Sequence, residues 1–253
     1  MSYLRLLRAR IALLLFASTS LWFFWFPAID LRVSRLFFHA GGFQLATAWW
    51  AKALHASVGY VIGLSMVLVG GVYLRNRLAR RNLPGVDLRV VGYLLAVLIL
   101  GAGIIVNVAL KDNFGRARPR NAVPFGGGQE FTPAFVVSDQ CTTNCSFSSG
   151  DGAGAFFTLA LARALGRWRA LLGAVAYGCL VSFARIAAGA HFLSDIVVSF
   201  FVMWLTADAL HFYMLLRRRA PRRRAVSAGR LPQYPGGGTA PAPPTAPAPA
   251  PLS

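Results

Sequence analysis

Three short polar segments interrupt a largely apolar chain. The first runs from Lys111 to Arg120 and contains Lys111, Asn113, Arg116, Arg118 and Arg120. The second is Ser146-Phe147-Ser148-Ser149-Gly150-Asp151-Gly152, and the third contains Arg185, His191 and Asp195. Their chemistry converges on phosphate. Lys111, Arg118 and Arg185 are cations suited to phosphate oxygens, and an arginine grips two oxygens at once. Ser149 and Gly150 stand before an apolar run that reads as a helix, and free N–H groups at a helix start bind anions. His191 can attack phosphorus as a neutral imidazole. Asp195, four residues on, is spaced to hold the other ring nitrogen and stabilise the imidazolium. Each feature taken singly has an ordinary alternative: a cation snorkelling to headgroups, a plain helix cap, a chance His–Asp pair. Occurring together and in order, they favour a phosphate site.

The elements that must position these residues are membrane spans. The chain has 253 residues, 56% of them hydrophobic, with a mean hydropathy of +0.55. A wholly disordered chain is excluded by that composition. An apolar run of about 20 residues is long enough to cross a bilayer as a helix. Runs at Ile11 to Ala28, Ala53 to Leu74, Val90 to Leu110, Gly152 to Leu165, Leu171 to Ala190 and Phe192 to Leu216 predict six spans. The fourth is short and rich in Gly and Ala. The fold class expected is therefore an all-α membrane protein, a six-transmembrane-helix bundle with both termini cytoplasmic. The three polar segments then fall at the outer ends of spans three to six, on one membrane face.

The net charge of +18 is explained by the same topology. Eighteen of the 26 basic residues precede span one, follow span six, or lie between spans two and three or four and five. By the positive-inside rule that side is cytoplasmic. It carries only Asp87 and Asp208 as acids, whereas the outer side has eight basic residues against six acidic ones. The charge is thus a topology signal and a contact for anionic headgroups. A nucleic-acid partner is not expected; the partners expected are the bilayer and a phosphorylated membrane lipid, and the oligomeric state is left open. The basic, apolar N-terminus also fits a cleavable signal peptide, but its apolar run continues through Leu21 to Phe26, which favours an uncleaved span. Residues 1–52 are read as the first span and outward loop, 53–216 as the catalytic core, and 217–253 as a basic, then Pro/Ala/Gly-rich, disordered cytoplasmic tail.

The remaining residues give weaker signals. Cys141 and Cys145 lie in the outward loop, where an oxidising compartment permits a disulfide. Cys179 is expected as a small packing residue within span five. Phe37, Phe38, Trp49 and Trp50 read as an interfacial aromatic belt. Phe125 with the following glycines reads as a lip over the site or as an unspecialised loop. Asn113, Arg116, Arg120 and Asn121 are either headgroup contacts or solvated loop. Asp208 is expected to pair with a neighbouring cation or with His211.

The ordered spacing resembles the type 2 phosphatidic acid phosphatase family, which is related to bacterial acid phosphatases and vanadium haloperoxidases. That family's first motif is Lys, six residues, then Arg-Pro, here Lys111 and Arg118-Pro119. Its third is Arg, five residues, His, three residues, Asp, here Arg185, His191 and Asp195. The resemblance covers about Ala53 to Leu216. It implies phosphotransfer through a phosphohistidine without metal or other cofactor. His191 would be the nucleophile and Asp195 its orienting partner, with Lys111, Arg118, Ser149, Gly150 and Arg185 holding the phosphoryl group.

The middle motif departs from the pattern. The family has Pro-Ser-Gly-His, and here the run is Ser148-Ser149-Gly150-Asp151. That histidine is expected to protonate the leaving oxygen, so Asp151 inherits the catalytic position. Aspartate is a far stronger acid than imidazolium and rarely holds a proton at neutral pH. Among the other histidines, His39, His55 and His211 offer no evident substitute in the sequence. Either Asp151 still donates a proton, or the site binds phosphate lipid and turns over poorly, or the substrate has a leaving group that needs no proton, and the last suggests a lipid diphosphate. The expected function is an integral-membrane lipid phosphatase at the periplasmic or outer face of the inner (plasma) membrane. Its candidate substrates are polyprenyl diphosphate, lipid A and phosphatidate-type lipids. The alternatives are a lipid phosphotransferase using the same site and a non-catalytic phospholipid-binding protein.

Overall fold

A computed structural model describes residues 2–79 and 86–217. Met1–Arg219 forms one compact unit, and Ala220–Ser253 is a second that lies outside the described residues, as does the disordered tail expected there. The first unit is almost wholly helical. Helix α1 (Ser2–Trp25) is followed after a sharp bend of 83° by α2 (Ala28–Arg35). A two-residue hairpin follows, β1 (Phe38–His39) with β2 (Gly42–Phe43). Next come α3 (Trp49–Leu78) and α4 (Leu88–Val97), the latter running on as a π-helical segment to Lys111 and ending in the single turn α5 (Asp112–Phe114). After a long loop come α6 (Gly150–Phe156), α7 (Thr158–Leu165), α8 (Trp168–Ala187) and α9 (Leu193–Leu210), with a further π-helical extension to Leu216.

Among the described residues, four helices are long and apolar enough to cross a membrane, or five if the bent α1–α2 pair is one span. The chain is therefore an all-α membrane protein. The predicted fourth span, Gly152 to Leu165, is two short helices, α6 and α7, that meet at Phe157. Neither is long enough to be counted with the others.

Local chemistry sets the helix ends. The Asp87 side chain accepts from the Val90 N–H and caps α4. Ser149 does the same for α6 through the Gly152 N–H. Both meet donors left orphaned at a helix start. Helix α9 runs through the centre and packs on α1, α4, α6, α7 and α8. Its buried Val198, Val202, Met203 and Ala207 share one core with Tyr93, Leu94, Val97, Phe156 and Phe157. Small residues from Gly152 to Ala155 bring α6 close against its neighbours, as close backbone approach in membranes requires.

The perimeter is apolar and unburied. Leu14, Leu64, Val67, Ile99 and Leu172 are exposed, which suits a lipid-facing surface and no soluble one. Cys179 joins that surface: it is exposed, where packing was expected. Of the aromatic belt, Trp49 is 80% exposed, while Phe38 packs on Phe43 and Phe125, and Phe37 packs on Phe183. Phe125, at the start of the segment read as a lip or an unspecialised loop, is buried. Near the C-terminal end of α9, Asp208 pairs with Arg163 of α7 at 2.8 Å and accepts from the Trp204 indole.

Candidate active site

Helix ends and loops meet around a polar cavity of about 540 Å3. Its wall includes Lys111, Arg118, Arg120 and Arg185, with Gly150 and Asp151 at the start of α6. Asn107, Asn144 and His55 complete it. Five of the expected site residues, Lys111, Arg118, Gly150, Asp151 and Arg185, thus face one space. The other three, Ser149, His191 and Asp195, are fully buried.

His191 owes its place to the turn between α8 and α9. Gly189 adopts φ +64°, and a Cβ there would strike the Phe43 ring, so the tight turn needs glycine. Asp195 sits in the first turn of α9, where its Oδ2 accepts from the Phe192 N–H at 2.8 Å. The same oxygen accepts from Ser146 Oγ at 2.6 Å. It lies 3.7 Å from His191 Nδ1, close enough for charge but not for a hydrogen bond. The Nδ1 hydrogen bond goes instead to the Ser146 carbonyl, at 2.9 Å. A carbonyl only accepts, so Nδ1 holds the proton in the neutral ring and Nε2 carries the bare lone pair.

That nitrogen is the one a nucleophilic His191 would use. Nε2 is buried without a hydrogen-bond partner and lies 4.0 Å from Asp151 Oδ2. Burial pushes the ring below the ordinary histidine range, with Arg185 and Arg118 adding to the effect and Asp195 opposing it. The balance favours the free base. Burial costs an imidazolium its hydration, while the adjacent carboxylate waits to stabilise one when it forms.

A second set of buried charges lies behind Asp195. Arg116, expected at the surface, is 1% exposed. Its guanidinium donates to Asp195 Oδ1 at 2.6 Å and to Asp30 Oδ2 at 2.8 Å. It also donates to Ser194 Oγ and the Thr132 carbonyl, and lies over the Phe192 ring. Asp30, on α2, accepts in turn from the Ser194 N–H at 2.9 Å. One cation thus bridges two buried carboxylates, and the planar fork of arginine is what reaches both.

The cavity cations are held more loosely. Arg118 donates twice to the Asn144 carbonyl, at 2.8 and 3.1 Å, and Lys111 Nζ donates to the Asn144 side chain at 3.1 Å. Asn144 belongs to the five-residue loop closed by the Cys141–Cys145 disulfide, which has formed as the sequence permitted. Gly150 leaves room for this arrangement: a Cβ there would come within 2.8 Å of Asn107 Oδ1 and 3.3 Å of Lys111 Nζ. The Ser149 hydroxyl accepts a hydrogen bond as the α6 cap and keeps its own proton for donation.

Asp151 stands between these two layers. Its Oδ2 lies 2.8 Å from Arg185 Nε, close enough for an ion pair although that N–H makes no hydrogen bond. Its Oδ1 lies 3.2 Å from His55 Nδ1. The histidine that sequence spacing could not connect to the motif therefore touches its altered position, from the first turns of α3. Sequence reasoning also missed Arg116 as a buried residue, the bonds that Ser146 makes to His191 and Asp195, and Asp30 and Asn144 altogether. Asp30 offered one signal, an acid set in an apolar stretch, which asks for a partner.

Comparison with known proteins agrees with this geometry. Residues 91–219 match the model of the PAP2 superfamily. A lipid A 4'-phosphatase of Francisella tularensis subsp. novicida (strain U112) is 26% identical over 78% of this chain and 92% of its own length. A lipid A 4'-phosphatase of Rhizobium leguminosarum is 30% identical over 72% of this chain and 84% of its own. One from Rhizobium etli is 34% identical over 45% of this chain and 44% of its own. No solved structure matches. The matched region holds Lys111, Arg118, Ser149, Gly150, Asp151, Arg185, His191 and Asp195 in order, and half the chain lies within it: the protein belongs to the PAP2 superfamily and is a phosphoric ester hydrolase of the membrane.

Proposed function

We propose that the protein removes a phosphate monoester group from a membrane lipid of the lipid A type, through a phosphohistidine on His191. The observation that carries this reading is the bare Nε2 of His191, directly behind a cavity walled by Lys111, Arg118 and Arg185. The named relatives favour lipid A over the other candidates. The six-span topology, with cytoplasmic termini and a site on the outer face of the inner membrane, is supported by the arginine distribution.

The reaction follows from the charges. Phosphate oxygens take Lys111, Arg118 and Arg185 as partners, with the Gly150 N–H and the Ser149 hydroxyl below. Asp151 now lies 4.0 Å from Nε2, and phosphorus must approach to about 3–3.5 Å. Phosphate and Asp151 compete for Arg185, so an entering phosphate turns the carboxylate aside, toward His55. His191 then attacks, and the ring charge that develops is met by Asp195 and the Ser146 carbonyl. A loose phosphoryl transition state needs this positioning and neutralisation more than help with bond making. Water completes the hydrolysis.

Phosphate release should be measured with purified protein on lipid A, phosphatidate and polyprenyl diphosphate, wild type beside His191→Ala. Release from lipid A that vanishes in the variant is the expected result. A wild type inert on the whole panel, or a variant as active as wild type, sinks the reading. Preference for the diphosphate would restore the leaving-group expectation drawn from Asp151.

A further inference from the structure

A phosphate monoester of an alcohol leaves an alkoxide, which needs a proton as the P–O bond breaks. General acid catalysis supplies that proton and contributes roughly 10²–10⁴-fold. The cavity wall offers few donors. Arginine does not give up its proton in a protein, which removes Arg118, Arg120 and Arg185. A carboxylate in an ion pair has no proton to give, and Asp151 is paired with Arg185. Lys111 is engaged with Asn144 and packs over Gly150, where it suits the phosphate itself.

His55 remains. It lines the same cavity, it is half exposed, and its Nδ1 lies 3.2 Å from Asp151 Oδ1. With Nδ1 directed to the carboxylate, Nε2 is the ring nitrogen left for the substrate. Imidazole is also the side chain that changes charge near neutral pH. We propose that His55 is the acid that protonates the leaving oxygen, with Asp151 as its positioning partner. The middle motif has then not lost its function; the acid has moved to α3, and the aspartate in the motif holds it. Residue 55 lies outside the region matched to the family, residues 91–219. This inference rests on the phosphatase reading above.

The proton accounting closes over one cycle. His191 Nε2 forms the P–N bond as the P–O bond to the lipid breaks. The electron pair of that bond stays on the lipid oxygen, which takes the proton from His55 Nε2. In the second half, water forms a new P–O bond and the P–N electrons return to His191. The neutral His55 takes the proton from that water, and inorganic phosphate leaves.

The groups facing His55 are Asp151 on α6, Lys111 on the π-helical segment, Arg118 and Arg120 in the loop, and Arg185 on α8. Each except Asp151 is cationic, so an entering phosphate is drawn to the face that His55 shares with them. The test compares kcat/KM against pH for wild type, His55→Gln and His55→Ala on lipid A. The expected loss is about 10²-fold or more, with the alkaline limb of the wild-type profile gone in both variants. Added imidazole should restore part of the rate to His55→Ala. Inorganic phosphate should inhibit all three proteins alike, showing an intact site. A loss under a few-fold, or an alkaline limb that persists in His55→Gln, overturns the proposal. Failure of the phosphatase reading is separate, since it shows in wild type and His191→Ala alone.

Discussion

Arg116 and Arg118 stand two residues apart and belong to different kinds of structure. Arg116 is enclosed, and every group around it is another fixed group: Asp30, Asp195, Ser194, the Thr132 carbonyl and the Phe192 ring. Arg118 borders the cavity, and its bonds run to one carbonyl of an exposed loop residue. The floor of the site is thus over-determined and the wall is provisional. A nucleophile gains from a floor that cannot move, because reorganisation at the moment of reaction is costly. A phosphate-binding wall gains from weak resting partners, because phosphate must displace them.

The largest effect expected in the floor is at its centre. His191→Ala should abolish phosphate release, by on the order of 10⁴-fold or more, since no second group can carry the phosphoryl. Thermal unfolding should change far less, because a buried neutral ring is replaced by a smaller apolar group. Next comes Arg116→Ala, which reverses that pattern. It strands two buried carboxylates, and breaking such a pair costs roughly 3–5 kcal/mol. Unfolding in detergent should report that loss along with lost activity. The double variant Arg116→Met with Asp30→Asn should recover stability but not full activity. If Arg116→Ala proves as stable as wild type, the floor is no more rigid than the wall.

The wall should behave in the opposite way. Lys111→Ala or Arg185→Ala removes one donor to the transferring group, worth about 10²–10³-fold in rate. Neither should unfold the protein, because both side chains end in the cavity. Arg185→Ala also frees Asp151, so its loss should exceed that of Arg120→Ala.

The chain revealed the motif residues of wall and floor more readily than the partners that brace them. Lys111, Arg118, Arg185, His191 and Asp195 were legible because each motif is local, with all its members within ten residues and in one order. The helices were legible because lipid demands long apolar runs. Asp30 to Arg116 spans 86 residues, and His55 to Asp151 spans 96, so no local spacing encodes either contact. The break at Phe157 was missed for a related reason. A Gly/Ala-rich stretch has the apolarity of a span, but two short helices packed in protein satisfy it equally well.

The floor makes a further prediction through pH. Burial lowers the His191 ring below the ordinary value of about 6.5, against the opposing charge of Asp195. In the unfolded chain this histidine takes a proton as pH falls through about 6.5, while the folded ring stays neutral. The unfolded state then binds more protons, so the contribution of His191 to stability declines as pH drops through that range. The neutral nucleophile should persist over the same range. Nitrogen shifts of labelled histidine, assigned by loss in His191→Ala, should show a ring titrating below 6.5 or not at all before acid unfolding. A His191 ring that titrates above that value would mean that Asp195 outweighs burial and that the resting nucleophile is protonated.

The smallest effect should come from the disulfide, and it tests whether the wall is held from outside. Cys141 and Cys145 close the loop that presents Asn144, and Asn144 takes both Lys111 and Arg118. Opening the loop removes neither cation. It releases the partner that keeps two long side chains over the cavity, and ordering such side chains again on binding costs about 0.5–1.5 kcal/mol each. The paired Cys141→Ser, Cys145→Ser variant should therefore raise KM by about threefold to tenfold, with kcat nearly kept because His191 and Asp195 lie on other elements. Reduction of the wild type should do the same, and Asn144→Ala should add little to the reduced protein. An equal fall in kcat would mean that the loop steadies the nucleophile as well, through Ser146, one residue beyond Cys145, whose carbonyl and hydroxyl bind His191 and Asp195.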